Sequence, residues 1–315
     1  MRKNYLIKQL INVVLLLIVV NVDSETHVKI GDYPILNAET CGIVSQNPAA
    51  VTQRIVDGSL AFTGEFPFMA TIHDRSYKLK YNNTLVCGAS LIGDQWLLTA
   101  KHCVLRHKNE DLFINMGSIY HSKPYITYNV KQTFHHSSFD IGIVQLEQPT
   151  DPINPSGTYI VNTVCLPVAD IINNKSEDTV VIGYGYTDRD GTQLSDVLRK
   201  ANVEILSNRV CDDKYQRQPE VICSEDGDSG GPMIQYDGNR AVLIGVVNDG
   251  AEDSNIGCRA RYLIFTRVSY FINMIIETAY SYTTQTTHRY TDHKTSSLGV
   301  TVGETVVSTE QQGSN

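Results

Sequence analysis

Short apolar runs separated by turn-forming residues repeat along the chain from residue 55 to about residue 266. Runs of this length are typical of antiparallel β-strands, and no βαβ rhythm interrupts them. The pattern therefore predicts an all-β barrel or sandwich. After residue 267 the apolar residues recur at helical spacing. This predicts one C-terminal helix that packs on the β-structure through a single apolar face. The apolar runs include 68–72, 90–98, 125–130, 179–182 and 242–247, and the helical face consists of Val268, Phe271, Ile272, Ile275, Ile276 and Ala279.

The first 24 residues have the composition of a signal peptide. Arg2, Lys3 and Lys8 are basic, Ile11–Val20 is apolar, and Ser24 is a small residue at the end of the segment. The apolar run is shorter than the ~20 residues that cross a bilayer, which disfavours the alternative of a signal anchor. We expect cleavage after Ser24, and hence a secreted, extracellular protein with no membrane contact after signal removal.

The rest of the chain divides by composition into three parts. Residues 25–54 show no periodicity and are interpreted as a propeptide or light chain, residues 55–280 as the folded domain, and residues 281–315 as a disordered tail rich in Ser and Thr. An apolar content of 42% is sufficient for a core. Because the net charge is −8 and no basic surface is indicated, we expect no nucleic-acid partner.

Secretion makes the seven cysteines candidates for disulfide bonds, and their odd number leaves at least one outside an intramolecular pair. Two Asn-x-Ser/Thr sequons predict N-glycosylation at Asn82 and Asn174, which fits the same compartment. No metal ion or other cofactor is expected.

The residues from Gly227 to Pro232, with the sequence Gly-Asp-Ser-Gly-Gly-Pro, suit a tight turn that presents one serine, Ser229. A serine hydroxyl is a weak nucleophile, so it needs a base that is itself oriented by a third group. His102 and Asp140 lie upstream and supply such a base and such a carboxylate. The chain order His, Asp, Ser differs from that of subtilisin-like enzymes and α/β-hydrolases. The absence of a G-x-S-x-G elbow in a strand–helix setting also disfavours an esterase or lipase.

Seven separated motifs lie between residue 55 and about residue 280: IVDG (55–58), CGASLI (87–92), WLLTAKHC (96–103), FDI (139–141), VCLP (164–167), GYG (183–185) and GDSGGP (227–232). Together they resemble the trypsin/chymotrypsin family of serine peptidases (S1 type). The resemblance implies two six-stranded antiparallel β-barrels with the site in the cleft between them. It also implies that Ser229 attacks the peptide carbonyl, that His102 transfers the proton, and that Asp140 orients His102. The backbone N–H groups of Gly227 and Ser229 would then bind the developing oxyanion.

The junction between Arg54 and Ile55 resembles the activation site of a zymogen. The resemblance implies that cleavage after Arg54 frees the ammonium group of Ile55, which turns inward and pairs with Asp228. We therefore expect a zymogen that a trypsin-like protease activates. The other expected partners are protein or peptide substrates and protein inhibitors.

Two disulfide bonds follow from the resemblance. Cys87 would pair with Cys103 and close a loop that carries His102. Cys41 would pair with Cys165 and hold the cleaved pro-segment to the domain.

Three cysteines remain, and the sequence leaves their pairing open. Residues 221–223 resemble the strand that ends a loop before the active serine, which favours a Cys211–Cys223 bond with Cys258 unpaired. A Cys223–Cys258 bond is the alternative.

The substrate pocket is where the chain departs from the family's pattern. Cys223 stands six residues before the active serine, where trypsin-like relatives have an aspartate, and the pocket loop is shortened. Residues 248–250 read Asn-Asp-Gly instead of Ser-Trp-Gly, and Leu263 replaces a small glycine on the pocket wall. Lys101 replaces the usual alanine before the histidine and adds a charge near the triad.

These departures leave two functions open. The first is a secreted endopeptidase of unusual specificity, in which Glu225, Asp226 and Asp249 weakly favour basic substrates. The second is a catalytically weak or inactive protease-like protein with a binding or regulatory role. The intact triad, the oxyanion glycine and the activation site favour the peptidase.

Overall fold

The structure, a computed structural model, describes residues 36, 39–45, 59–78, 83–167, 179–185, 194–205, 221–224, 231–251 and 262–282. The predicted signal peptide and the predicted tail beyond residue 282 lie outside these ranges. Within these ranges no helix is both long enough and apolar enough to cross a membrane.

Short β-strands make up most of the described fold, as the alternation of apolar runs and turns predicts. The strands are β1 (Ser59–Leu60), β2 (Met69–Asp74), β3 (Leu85–Gly93), β4 (Trp96–Thr99), β5 (Leu112–Met116), β6 (Ile126–His135), β7 (Gly142–Leu146), β8 (Val180–Gly183), β9 (Arg199–Asn202), β10 (Val221–Ser224), β11 (Pro232–Asp237), β12 (Arg240–Ala251) and β13 (Tyr262–Arg267). Turns of 3-10 helix lie at Lys101–Cys103, Asn109–Asp111, Pro155–Gly157 and Val268–Phe271, and an α-helix, α1, covers residues 272–282.

The first sheet closes into an antiparallel barrel in the order β2-β3-β4-β7-β6-β5. Large apolar side chains pack on its strands, and those of Trp96, Leu97 and Ile114 are fully buried. Burial of this apolar surface is the main stabilising contribution to the barrel. The predicted six-stranded barrel is therefore confirmed for this half of the domain.

The second sheet has the strand order β1-β9-β8-β11-β12-β13-β10. It contains seven described strands, and within the described residues only the first sheet closes. At one edge of this sheet, β1 pairs with β9 through Ser59 opposite Lys200 and Leu60 opposite Arg199. A second antiparallel sheet beside the closed barrel is consistent with the predicted trypsin-like fold.

The C-terminal helix packs against the first barrel. Val268, Phe271, Ile275 and the other members of the predicted apolar face are buried, which confirms that face. The helix α1 extends to Tyr282 and so includes the first two residues of the predicted tail. The ring of Tyr282 packs on that of Phe134, with the centroids 4.5 Å apart. The helix thereby contacts the end of β6, which leads into the loop that carries Asp140.

The short segment 39–45 packs against the start of β12 and the connection between β7 and β8. The Cys41–Cys165 disulfide joins it to the connection between β7 and β8. Ile43 forms an isolated antiparallel β-bridge with Arg240 at the start of β12. Gly42 has a φ of 69°, and a Cβ there would stand 2.5 Å from the carbonyl oxygen of Ala241. The pro-segment is therefore packed on the domain by close backbone contacts as well as by the predicted disulfide.

Candidate active site

His102 lies in the 3-10 turn Lys101–Cys103, directly after the buried strand β4. The next residue, Cys103, is bonded to Cys87 in β3, so the turn is tied to the barrel by the disulfide that the resemblance implies. The imidazole is 43% exposed. The backbone of His102 is thus held rigidly by the barrel, while its imidazole ring is accessible to solvent or to a substrate.

Asp140 lies in the loop between β6 and β7 and orients His102 through two hydrogen bonds. Nδ1 of His102 donates to Oδ2 of Asp140 at 2.8 Å, and the backbone N–H of His102 donates to Oδ1 at 2.9 Å. The carboxylate side chain is 18% exposed, so it is more deeply buried than the imidazole. These are the positions that an imidazole base and its orienting carboxylate require.

The environment keeps the Asp140 carboxylate ionised. Burial raises the pKa of Asp140, but hydrogen bonds from the side chain and backbone of His102 and from the backbone of Lys101 lower it by more. The net effect is a pKa below the usual range of an aspartate. A carboxylate at this point also favours the Nδ1–H tautomer of the imidazole.

Several residues that hold the Asp140 loop were not predicted from the sequence. The hydroxyl of Thr266 in β13 donates to the carbonyl oxygen of Asp140 at 2.9 Å, which links the loop to the second sheet. Nδ1 of His136 accepts hydrogen bonds at 3.1 Å from the backbone N–H groups of Ser138 and Phe139. The Phe139 ring packs on Phe271 in the turn before α1, with centroids 5.2 Å apart.

Gly227, Asp228 and Ser229 lie outside the described residues, but Gly231 in the same motif is described. A Cβ added to Gly88 would stand 2.9 Å from Cα of Gly231, so these two backbones are in direct contact. The carbonyl of Gly231 accepts a hydrogen bond from the backbone N–H of Val247 at 3.0 Å. Gly231 therefore lies between β12 and the part of β3 next to Cys87.

The remaining predicted site residues are only partly covered. Arg54, Ile55, Asn82 and Asn174 lie outside the described ranges, so the activation site and both glycosylation sites stay predictions.

The same holds for Cys211 and Cys258, while Cys223 is described only in its backbone, within β10. The alternatives for their pairing therefore stay open. Around the pocket, the backbone of Leu263 pairs with Ser224 of β10 on one side and with Gly250 of β12 on the other.

The side chains of Cys87, His102 and Cys103 are the one group in the described ranges with the composition and proximity of a metal site, with their ligand atoms within 4.8 Å of one another. Both sulfur atoms are joined in a disulfide, so no thiolate is present to bind a metal. This cluster is therefore a structural feature beside the imidazole.

An antiparallel barrel, a second antiparallel sheet and a histidine oriented by a carboxylate, whose loop is hydrogen-bonded to the second sheet, are typical of β-barrel serine proteases. The family model "Trypsin" matches residues 55–275, and the chain therefore belongs to the trypsin family. Members of this family are serine proteases.

Curated relatives agree with this assignment. The chain is 27% identical over 263 residues to human Transmembrane protease serine 11B, a match that covers 76% of this chain and 59% of the relative. It is 29% identical over 249 residues to Transmembrane protease serine 9 from Rattus norvegicus, which covers 71% of this chain and 22% of the relative. The chain thus spans less than two thirds of the length of these relatives.

Proposed function

We propose that the protein is a serine endopeptidase that hydrolyses peptide bonds through an acyl-enzyme, with Ser229 as nucleophile, His102 as base and Asp140 as the orienting carboxylate. The observation that carries the proposal is the 2.8 Å hydrogen bond between Nδ1 of His102 and Oδ2 of Asp140. A second hydrogen bond, from the backbone N–H of His102, fixes the same carboxylate. The trypsin-family match supports the assignment of the third member.

The tautomer of His102 determines which of its atoms moves the proton. Because Nδ1–H donates to Asp140, the lone pair of the neutral imidazole is on Nε2. Nε2 takes the proton from the Ser229 hydroxyl as its oxygen attacks the substrate carbonyl. The protonated imidazole then gives this proton to the leaving amine, and the acyl-enzyme remains. Water, deprotonated by the same nitrogen, hydrolyses the acyl-enzyme and restores the serine.

The contact between Gly88 and Gly231 supports the place of Ser229 in this scheme. Ser229 precedes Gly231 by two residues, and two residues of extended chain span at most about 7 Å. Gly88 follows Cys87, whose disulfide partner Cys103 follows His102. We therefore expect the Ser229 hydroxyl on the same side of the first barrel as the imidazole.

The oxyanion of the tetrahedral intermediate needs hydrogen-bond donors that are already in position. We assign this role to the backbone N–H groups of Gly227 and Ser229, as the family resemblance implies. A donor of this kind contributes about 3 kcal/mol to transition-state stabilisation.

The protein is proposed to be a secreted zymogen that a trypsin-like protease cleaves after Arg54. The new ammonium group of Ile55 would pair with Asp228 and order the oxyanion turn. The Cys41–Cys165 bond supports this scheme because it retains the pro-segment after cleavage, and stable disulfides are typical of an extracellular protein.

Turnover of a peptide library tests the proposal. Three samples are compared: the secreted protein cleaved after Arg54, the uncleaved protein, and the cleaved Ser229→Ala variant. Hydrolysis is expected in the first sample only. A cleaved protein that is folded but hydrolyses no peptide would instead favour the protease-like binding protein.

A further inference from the structure

The ammonium group of Lys101 connects the turn that carries His102 to the loop that carries Asp140. Its Nζ donates a hydrogen bond of 2.7 Å to the carbonyl oxygen of Ser137. Lys101 is the residue immediately before His102, and Ser137 lies three residues before Asp140. One side chain therefore bridges the two segments whose relative position sets the His102–Asp140 hydrogen bond.

The inner part of the Asp140 loop, residues 139 and 140, is held by contacts that do not involve Lys101. Thr266 holds the carbonyl of Asp140 from the second sheet, and Phe139 packs against Phe271. The outer part is different, since Ser137 and Ser138 are exposed to solvent. A hydrogen bond from a charged donor to the Ser137 carbonyl restrains this outer part relative to the His102 turn.

We propose that Lys101 is a positioning residue that holds the Asp140 loop against the His102 turn and so maintains the geometry of the base. This inference rests on the proposed function. The alanine that is usual at this place has no group that reaches the Ser137 carbonyl, so the device belongs to this chain. Small displacements of a catalytic group lower the rate strongly, so the hydrogen bond from Lys101 to this part of the loop is expected to matter for turnover.

Kinetics of the cleaved protein with an uncharged peptide substrate provide the first test. Lys101→Met removes the donor and retains the length of the side chain, and it is expected to lower kcat by about 3- to 10-fold with KM unchanged. Lys101→Arg retains a charged donor and is expected to restore most of kcat. Arg106→Met removes one exposed positive charge from the same segment and is the matched control, with kcat unchanged. A rise in KM at constant kcat would overturn the proposal, since it would make Lys101 a substrate-binding residue.

A second test does not depend on turnover. In the Ser229→Ala background, the Nδ1 proton of His102 is observed by NMR as the low-field resonance of its hydrogen bond to Asp140. Lys101→Met is expected to broaden this resonance and shift it upfield, while Lys101→Arg and Arg106→Met leave it in place. An unchanged resonance in Lys101→Met would overturn the proposal. If the parent protein hydrolyses no peptide, the proposed function fails, and the resonance still decides the role of Lys101.

Discussion

Gly88 in β3 and Gly231, just before β11, lie so close that a Cβ added to Gly88 would stand 2.9 Å from Cα of Gly231 and 3.1 Å from its nitrogen. Both neighbours are backbone atoms, which cannot move aside as the end of a flexible side chain can. This contact joins the first barrel to the serine motif, and it requires glycine at position 88.

Gly88→Ala is therefore expected to displace the segment around Gly231 and with it the proposed nucleophile. We expect kcat/KM of the cleaved protein to fall about 10- to 100-fold, because misplaced reacting groups lose the advantage of proximity. Gly238→Ala is the control, since Gly238 has a φ of 61° but no atom within 4 Å of an added Cβ. It should reduce the free energy of unfolding by about 1 kcal/mol and leave kcat/KM unchanged. Equal kcat/KM in Gly88→Ala and the parent would contradict the role of this contact.

Asp140→Asn tests the orienting carboxylate. An amide removes the negative charge that holds the Nδ1–H tautomer and that stabilises the imidazolium formed during catalysis. The expected loss is about 10⁴-fold in kcat, measured on peptide substrates near neutral pH. Because the change is nearly isosteric, the thermal unfolding temperature should fall little. A variant that retains most of its kcat would show that Asp140 does not orient the base.

The burial of His73 is expected to lower the free energy of unfolding in acid. The side chain is buried between Thr71 and Thr84, whose hydroxyls lie 2.9 Å from Nε2 and Nδ1, and it stacks on Phe113. Burial, with a smaller contribution from His121, lowers the pKa of His73 to about 4. The unfolded chain therefore takes up the proton first, and folding becomes less favourable as the pH falls from about 6.5 to about 4. The difference between the unfolded and folded pKa of His73 corresponds to a total loss of about 3 kcal/mol in the free energy of unfolding.

His73→Gln should remove this acid dependence, since an amide does not titrate in this range. Urea unfolding at about pH 7 and about pH 5 measures it, as the difference between the two free energies of unfolding. The exposed His135→Gln variant is the control and should keep the slope of the parent. An identical pH dependence in His73→Gln and the parent would show that His73 is not the group responsible.

The buried, hydrogen-bonded pair of Asp74 and His107 is expected to stabilise the first barrel. Oδ2 of Asp74 accepts from Nδ1 of His107 at 2.6 Å, while Oδ1 accepts from the backbone and hydroxyl of Ser76. Burial raises the pKa of Asp74, and these hydrogen bonds lower it by more. Its stabilisation is therefore complete above the unfolded pKa of about 4 and is lost as the pH falls through the lower folded value.

Asp74→Asn should lower the free energy of unfolding near neutral pH by about 2 to 3 kcal/mol, because the hydrogen bonds to a charged acceptor are lost. Chemical denaturation measures this change. The exposed Asp151→Asn variant should change the free energy little. A value for Asp74→Asn within about 0.5 kcal/mol of the parent would contradict the contribution of the pair.

The features that could be predicted from the sequence are those with a local pattern. The strands of the first barrel follow from short apolar runs, and the buried face of α1 follows from helical spacing. His102 and Asp140 were identified by chain order and by the motifs around them. The bond from Thr266 to Asp140 joins residues 126 positions apart, and the pairing of Ser59 with Lys200 joins residues 141 positions apart, so neither has a local signal.

Lys101 marks the limit of this kind of prediction. Its identity is visible in the sequence as a departure from the usual alanine, but its partner is a backbone carbonyl. Every residue carries such a carbonyl, so the sequence contains no sign that Ser137 accepts the hydrogen bond. Only the folded arrangement of the two segments identifies it.

Covalent labelling determines whether Ser229 is a nucleophile activated by His102 and Asp140. The protein cleaved after Arg54 is treated with a fluorophosphonate probe, and the modified peptide is identified by mass spectrometry beside a Ser229→Ala control. We predict a single adduct on Ser229, formed much more slowly in Asp140→Asn and absent from Ser229→Ala. An adduct on another residue, or equal labelling of Ser229→Ala, would show that Ser229 is not the activated nucleophile, as would a folded and cleaved protein that takes up no probe.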